Sequence, residues 1–489
     1  MIVFSSLLIK SNLLRTFTIL KRKMLPKQGK TYQDAIATLN SLQTNSQYLK
    51  NAVVKPKAET NLAEVEKFLN RTSLPLDDLN KLSVIHIAGT NGKGTTCAYS
   101  ENILRNHGFK TGFYSSPHLL DVRERIRING KPISKKTFAL HFWKIYDLLD
   151  KQKTDPGDMP LYFRYLTILA FHIFLEHKVD VAIVEVGIGG EYDCTNVLRK
   201  SQVVGITPLD FDHTSLLGHS MESIAWNKSG IMKEGSIAFT TEQPESALKV
   251  LRERSLEKKC DLKVVENNYY NYENKSNFPS HIQRTNASLA LAICEAYIKR
   301  GNKPQKMFSM EIAKNAIEDT YWPGRYEIKD LNKIRFFLDG AHTIDSMRIC
   351  TNWFREKTLN SCRKRALIFN LTGDRLSDTF FKELCKLTFN IVIFSPNVSS
   401  EKDVPDNTDL ISTPDKQLQR CNQFKEKWLK MEESVENKAD SILVFPCFSE
   451  AIKCLDKGIE YDVLVTGSIH LIGAAMAVID PTLNGTLVD

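Results

Sequence analysis

The first 30 residues contain no aspartate or glutamate; the first acid is Asp34. They do contain Lys10, Arg15, Lys21, Arg22, Lys23, Lys27 and Lys30, so most of the net charge of +9 on this 489-residue chain sits in one segment. The rest is close to neutral, which removes the broad basicity of a nucleic-acid-binding body. No apolar run is long and unbroken enough to span a bilayer. Tyr165–Leu175 is too short, and Val463–Ile479 is interrupted by Gly467, Ser468 and His470. The ten cysteines are scattered, with no CxxC pair and no cysteine–histidine cluster at zinc spacing. They read as reduced, mostly structural thiols of an intracellular protein. No internal repeat is present. With 42% hydrophobic and 25% charged residues, the chain is not disordered, collagenous or a disulfide scaffold. Its length implies two or three domains.

Residues 1–23 mix basic side chains with Ile, Val, Phe and Leu and with Ser5, Ser6 and Ser11. An acid-free, hydroxylated, amphipathic stretch of this kind has the composition of a mitochondrial targeting segment, here assigned to residues 1–30. A secretory signal fits less well, because basic residues recur through the apolar part. Met24 closes the basic run, so a second start there would give a product without most of the signal.

Beyond the leader the pattern is β-then-α. Strands are expected at Val84–Ala88, Thr111–Ser115, Val181–Val186 and Gln202–Thr207, and helices from the following turn to Asn106, after Ser134, at Tyr162–Glu176, at Ser220–Met232 and at Gln283–Lys299. Trp322-Pro323-Gly324-Arg325 is a strong breaker. After it the rhythm restarts with strands Arg335–Leu338, Ala366–Asn370, Ile391–Phe394 and Val463–Val465, and helices Asp345–Glu356, Ser377–Leu387 and Asp415–Glu433. Ser399–Ser412 reads as a loop. Two α/β domains with mostly parallel open sheets follow, 31–322 and 323–489.

The sharpest motif is Gly89-Thr90-Asn91-Gly92-Lys93-Gly94-Thr95-Thr96, between a strand and a helix. Glycines let backbone N–H groups converge on phosphates, the helix N-terminus adds positive potential, and Lys93 reaches the β and γ oxygens. It is not the standard GxxxxGK[ST]: Ile87 stands where the first glycine belongs, and Gly94 where the hydroxyl belongs. The bland alternative is a glycine-rich turn without a ligand. Glu185, at the end of an apolar strand, is equally a Mg²⁺ ligand and a carboxylate exposed at a strand end. His213 alone is more often a structural histidine, Ser116 a turn residue before Pro117, and Lys228 a solvated lysine.

The loop resembles that of the Mur-ligase superfamily, and of its folylpolyglutamate synthase family in particular. The resemblance continues in order through Tyr114–Leu119 with Arg123–Ile126 and Asn129-Gly130, Glu185–Gly190 with Asp193 and Thr195-Asn196, and Asp212–Thr214 with Leu217-Gly218 and Lys228–Ile231. It then passes through Gln283–Ala287, Trp322–Arg325, Leu338–Thr343, Asn370–Arg375 and Thr466–His470. Ile282 stands where the family commonly has histidine. The resemblance implies an N-terminal P-loop ATPase domain joined to a C-terminal Rossmann-like domain. It also implies ATP-dependent addition of L-glutamate to the γ-carboxylate of a reduced folate or folylpolyglutamate. Residue by residue, it places ATP on Gly89, Thr90, Asn91, Gly92, Lys93, Gly94, Thr95, Asn286, Arg325 and Asp339. It places Mg²⁺ on Ser116, Glu185 and His213, catalysis on Lys93, Lys228 and His342, and glutamate near His342 and Ser468. A carbamoyl group on Lys228 and a monovalent cation are implied too. The partners are ATP, glutamate and reduced folates, with no nucleic acid and no membrane span, on a monomer. The nearest alternative is dihydrofolate synthase or a bifunctional enzyme; more distant ones are a nucleic-acid-dependent ATPase and a non-catalytic binder.

Overall fold

In a computed structural model, residues 30–42, 60–155, 157–267, 269, 281–301, 307–372, 375, 377–400, 413–433, 438–455 and 458–488 are described. The targeting segment apart from Lys30, Met24, residues 373–374 of the Asn370–Arg375 block and most of the Ser399–Ser412 loop lie outside them.

Among the described residues the strands, in chain order, are β1 (Val84–Ala88), β2 (Thr111–Tyr114), β3 (Ile126–Ile128), β4 (Lys131–Pro132), β5 (Val181–Glu185), β6 (Val203–Ile206), β7 (Ile237–Thr240) and β8 (Asp261–Val264), then β9 (Glu327–Leu331), β10 (Ile334–Asp339), β11 (Lys364–Phe369), β12 (Ile391–Phe394), β13 (Ser441–Val444) and β14 (Tyr461–Thr466). The first eight form one sheet in the order β4-β3-β2-β5-β1-β6-β7-β8, and the last six another in the order β13-β12-β11-β14-β10-β9. Both are mostly parallel; the antiparallel pairs are β2–β3, β3–β4 and β9–β10.

Continuous apolar strands are what a sheet covered on both faces requires. Successive residues of β1 and β5 indeed enter opposite cores. Val84, Ala182 and Val184 pack with Phe138, Phe142 and Phe171 on one side. Ile85, Ile87, Val181 and Ile183 pack with Leu104, Leu289 and Ile293 on the other. The covering helices include Lys93–Asn106, Lys135–Asp150, Tyr162–Glu176 and His281–Arg300. Ser134 caps the second of these, accepting from Thr137 N at 3.1 Å. In the second sheet, Phe337, Leu367, Phe369, Phe394 and Leu464 pack with Phe381, Phe424 and Trp428.

Several strands carry no clear sequence signal. β3 and β4 are short and joined by Asn129-Gly130, both at positive φ, the backbone of a tight hairpin. β9 reads Glu-Ile-Lys-Asp-Leu, with exposure alternating along an antiparallel edge. The helix expected at Ser220–Met232 is shorter, Met221–Ser229, because Ser220 is its N-terminal cap and Gly230 its C-terminal one. Likewise the helix expected to Leu387 stops at Leu384. No helix among the described residues is long and apolar enough to cross a membrane.

Sheet order also locates the site. The chain passes from β1 over β5 to β2, then returns to the other flank of β1 with β6. The crevice at such a reversal, beyond the C-terminal strand ends, is where open α/β sheets take ligands.

Candidate active site

Four strand ends of the first sheet converge there: the Gly89–Gly92 turn after β1, Ser115–Pro117 after β2, Glu185 closing β5 and Thr207 after β6. The turn is held by Thr90 N and Asn91 N, each donating to Pro208 O at 3.1 Å. Two glycines are required by contact. A Cβ on Gly89 would lie 1.8 Å from Thr207 Oγ1, and one on Gly92, where φ is +85°, 2.2 Å from Asn286 Oδ1. Asn286 is itself buried, and its Oδ1 has no hydrogen-bond partner among the described residues. Gly92 caps the helix that begins at Lys93, so Gly94 and Thr95 occupy its first turn.

Two lysines meet the same turn. Lys93 Nζ donates to Gly89 O at 3.1 Å and Thr90 O at 3.3 Å. Lys228 Nζ donates to Gly89 O at 2.7 Å. Lys228 is fully enclosed, not solvated; burial, reinforced by the charge of Lys93, pushes its ammonium well below the usual lysine range.

Glu185 is likewise buried at its strand end, not exposed. Burial pushes its carboxyl up to about 6, against the pull of Lys93, a hydrogen bond from Ser116, and Arg325 and Arg125. Ser116 N donates to Glu185 Oε2 at 3.0 Å, so two of the expected metal ligands are neighbours. His213 stands at φ +51° and remains partly open. Desolvation pushes its imidazole down to about 4 despite Asp212, which keeps it neutral near pH 7.

The second sheet brings its own strand ends to this place. Asp339 closes β10 and is buried; its Oδ2 accepts from Tyr326 N at 3.1 Å, and desolvation raises its pKa against the charge of Arg325. Arg325 Nη1 donates to Gly340 O at 3.1 Å. Ser468 follows β14 and caps the Ile469–Ile479 helix, accepting from His470 N at 3.2 Å. Two contacts join the sheets. Asn91 Nδ2 donates to Thr343 Oγ1 at 3.2 Å as well as to Asp210 Oδ2 at 3.3 Å. Asp212 receives Arg375 Nη2 at 2.7 Å and faces His342 Nε2 at 3.4 Å. Burial opposes the charge on Asp212, but the His342 hydrogen bond and the His342, His213 and Arg375 charges hold its carboxyl well below the usual range.

Comparison with known proteins now decides the family. No family model matches the chain. The chain is similar to "Folylpolyglutamate synthase, mitochondrial" of Bos taurus, 37% identical with 94% of each chain covered. It is similar to the Neurospora crassa folylpolyglutamate synthase, 35% identical over 94% of this chain and 93% of that one. The chain belongs to the folylpolyglutamate synthase family. Among solved structures, Mycobacterium tuberculosis folylpolyglutamate synthase complexed with ADP superposes with a TM-score of 0.70, at 23% identity over 91% of this chain and 99% of that one. E. coli FolC in complex with DHPP and ADP gives 0.69, at 23% identity over 94% and 99%. The two-domain Mur-ligase-like fold expected from the sequence is therefore this chain's fold.

As a folylpolyglutamate synthase family member, the chain uses residues whose environment no single position announced. Asp212 and Arg375 lie within quoted motifs, yet their pairing spans 163 positions of sequence. Asp193 accepts from Thr195 N at 2.9 Å and Ile188 N at 3.1 Å, pinning the loop after Glu185. Its Thr195 contact continues to His86 in β1, at 2.8 Å.

Proposed function

We propose that the family's reaction, ATP-dependent addition of L-glutamate to the γ-carboxylate of a folate, runs where the two sets of strand ends meet. The observation that carries this is the pair of lysines on the Gly89 carbonyl beside buried Glu185. Gly89, Thr90, Asn91, Gly92, Gly94 and Thr95 cradle the nucleotide phosphates, with Lys93 on the β and γ oxygens. Asn286, Arg325 and Asp339 complete the nucleotide site. A carboxylate is a poor electrophile, so the folate γ-carboxylate first attacks the γ-phosphoryl group and becomes an acyl phosphate. Lys93 stabilises charge on the transferring group. The amine of glutamate, held near His342 and Ser468, then attacks the acyl carbon, and phosphate leaves. Domains 31–322 and 323–489 each supply part of this site, and their contact keeps water from the acyl phosphate.

The donors fit Mg²⁺. Glu185 and Ser116 offer hard oxygen atoms, and His213 offers a neutral imidazole. Among the described residues no group of three or more His, Cys, Asp or Glu could hold a metal; a Mg²⁺ ion here would complete its shell with nucleotide phosphates and water. When bound, Mg²⁺ neutralises phosphate charge. Burial and the charge of Lys93 disfavour the ammonium form of Lys228, and the free amine is the form that adds carbon dioxide, so a carbamoyl group there would replace a disfavoured cation by an anion supporting the metal. A monovalent cation belongs to the same reading.

The chain acts as a monomer, in a mitochondrial form carrying residues 1–30 and a cytosolic form starting at Met24. The acid-free leader and the mitochondrial relatives support the mitochondrial form. Loss of organelle import on deleting residues 1–23 is expected; unchanged import sinks it. For the activity, purified protein is given ATP, labelled glutamate and either tetrahydrofolate or dihydropteroate. Label entering tetrahydrofolate supports the proposal. Label entering dihydropteroate alone makes the protein a dihydrofolate synthase, and label entering both makes it bifunctional.

A further inference from the structure

Three buried arginines alternate along one short segment, and two of them are neutralised. Arg123 pairs with Asp121 Oδ2 at 2.9 Å and also donates to Ile133 O and Leu487 O. Arg127 lies over the Trp322 ring, donates to Glu124 O at 3.1 Å, and has the charges of Glu124 and Glu101 to offset its burial. Arg125, between them, is 9% exposed and has no carboxylate within ion-pair distance among the described residues. Its Nε donates to His118 Nδ1 at 2.8 Å, which places the His118 proton on Nε2, and its guanidinium covers the Tyr162 ring at 5.5 Å. Neither neighbour carries negative charge, and no protein atom among the described residues accepts from the terminal nitrogens.

Enclosing a guanidinium without a counter-ion is costly, and removing that cost needs an anion. The surroundings say which one. Arg125 O accepts from Ser115 N at 3.0 Å, so the residue is tied to the loop that carries Ser116. It is among the cations acting on Glu185. It therefore lies beside Glu185 and the Ser116 loop, while the cations bonded to the Gly89 turn are Lys93 and Lys228. A flat fork backed by an aromatic ring suits a carboxylate bound through two parallel hydrogen bonds.

The geometry points to Arg125 as the residue that binds the unreacting α-carboxylate of the folate's terminal glutamate. This rests on the proposed folate-glutamylating function. The γ-carboxylate is a poor match, since it must act as a nucleophile and then loses its negative charge on becoming the mixed anhydride with phosphate. The α-carboxylate stays anionic throughout, and fixing it presents the γ-carboxylate, not itself, to the nucleotide.

Binding of three ligands to wild type, Arg125→Met and Arg125→Lys separates the cases: pteroylglutamate, its α-carboxamide and pteroate, without ATP, by calorimetry. Wild type is expected to bind the α-carboxamide roughly 10- to 100-fold more weakly than pteroylglutamate, the range for one charge-assisted contact. Arg125→Met should bind pteroylglutamate as weakly as the amide, with pteroate affinity unchanged, and Arg125→Lys should recover part of the difference. Equal wild-type affinity for the acid and its α-carboxamide overturns the assignment, and this arm needs no variant to fold. An equal loss for all three ligands in Arg125→Met also overturns it, since the arginine would then shape the pocket generally. Wild type that binds none of the three fails the folate reading itself, a distinct result.

Discussion

The two sheets are built alike and spend their interiors differently. Both are mostly parallel, both are covered by helices, and both end their strands at the same cleft. The interior of the second is an aromatic lattice in which Phe381 packs edge-on against Phe369 at 5.5 Å and Trp428 at 5.2 Å. The first carries its ionisable groups inward: Glu185, Lys228, Asp193 and Arg125 are all buried at or near its strand ends. The lesson is that the fold alone does not place the chemistry. The same architecture supports an aromatic core in one half, which sends Asp339 to the cleft, and a larger set of displaced pKa values around the cleft in the other, and such displacement is the signature of a reaction site.

The comparison breaks most visibly in the second sheet. Phe381→Ala should cost about 3–5 kcal/mol of stability, read by denaturant unfolding, with no change in its pH dependence. Lys93→Ala should do the reverse. Its ammonium touches only loop carbonyls, so the melting temperature should hold while turnover falls about 100-fold or more.

Glu185→Gln sharpens the contrast through pH. Burial raises the folded-state pKa from 4.5 to about 6, so the folded protein holds this proton more firmly than the unfolded chain. That contribution is full below about pH 4.5 and is lost as pH rises through about 6, a change of about 2 kcal/mol. The wild type should therefore lose stability relative to Glu185→Gln across that interval, in protein free of nucleotide; parallel pH profiles would refute the burial argument. The smallest effect belongs to Gly94→Ala. The added Cβ would sit 3.1 Å from the Trp322 ring, a mild crowding that the gain in helix propensity nearly offsets. A net change under about 1 kcal/mol is expected in thermal unfolding.

The sequence showed the buried strands and the amphipathic helices because their periodicity is local. Val84–Ala88, Tyr162–Glu176 and Ile391–Phe394 have the bounds expected. Edge strands such as β8 and β9 were illegible because they lack an apolar run: in β8 Asp261 and Lys263 face solvent, in β9 Glu327 and Lys329 take the sheltered side while Ile328 is exposed, and only hydrogen bonding to a neighbour makes them strands. The phosphate loop was legible for the same reason as the core: its glycines answer to contacts that any such turn must make. Burial of Lys228 and the lack of a counter-ion at Arg125 were not, since each depends on which distant elements fold over the side chain. The alternation Arg123, Arg125, Arg127 was visible, but nothing in the chain order shows which of the three lacks an acid.

The central claim is that the folate γ-carboxylate is activated by phosphoryl transfer at this cleft before glutamate adds. It is tested most directly by labelling that carboxylate with oxygen-18 and following the label during turnover with ATP and glutamate. The account expects one labelled oxygen in each phosphate released, with one glutamyl residue added per ADP formed. Phosphate free of label, or ADP formed without added glutamate on the folate, would contradict it.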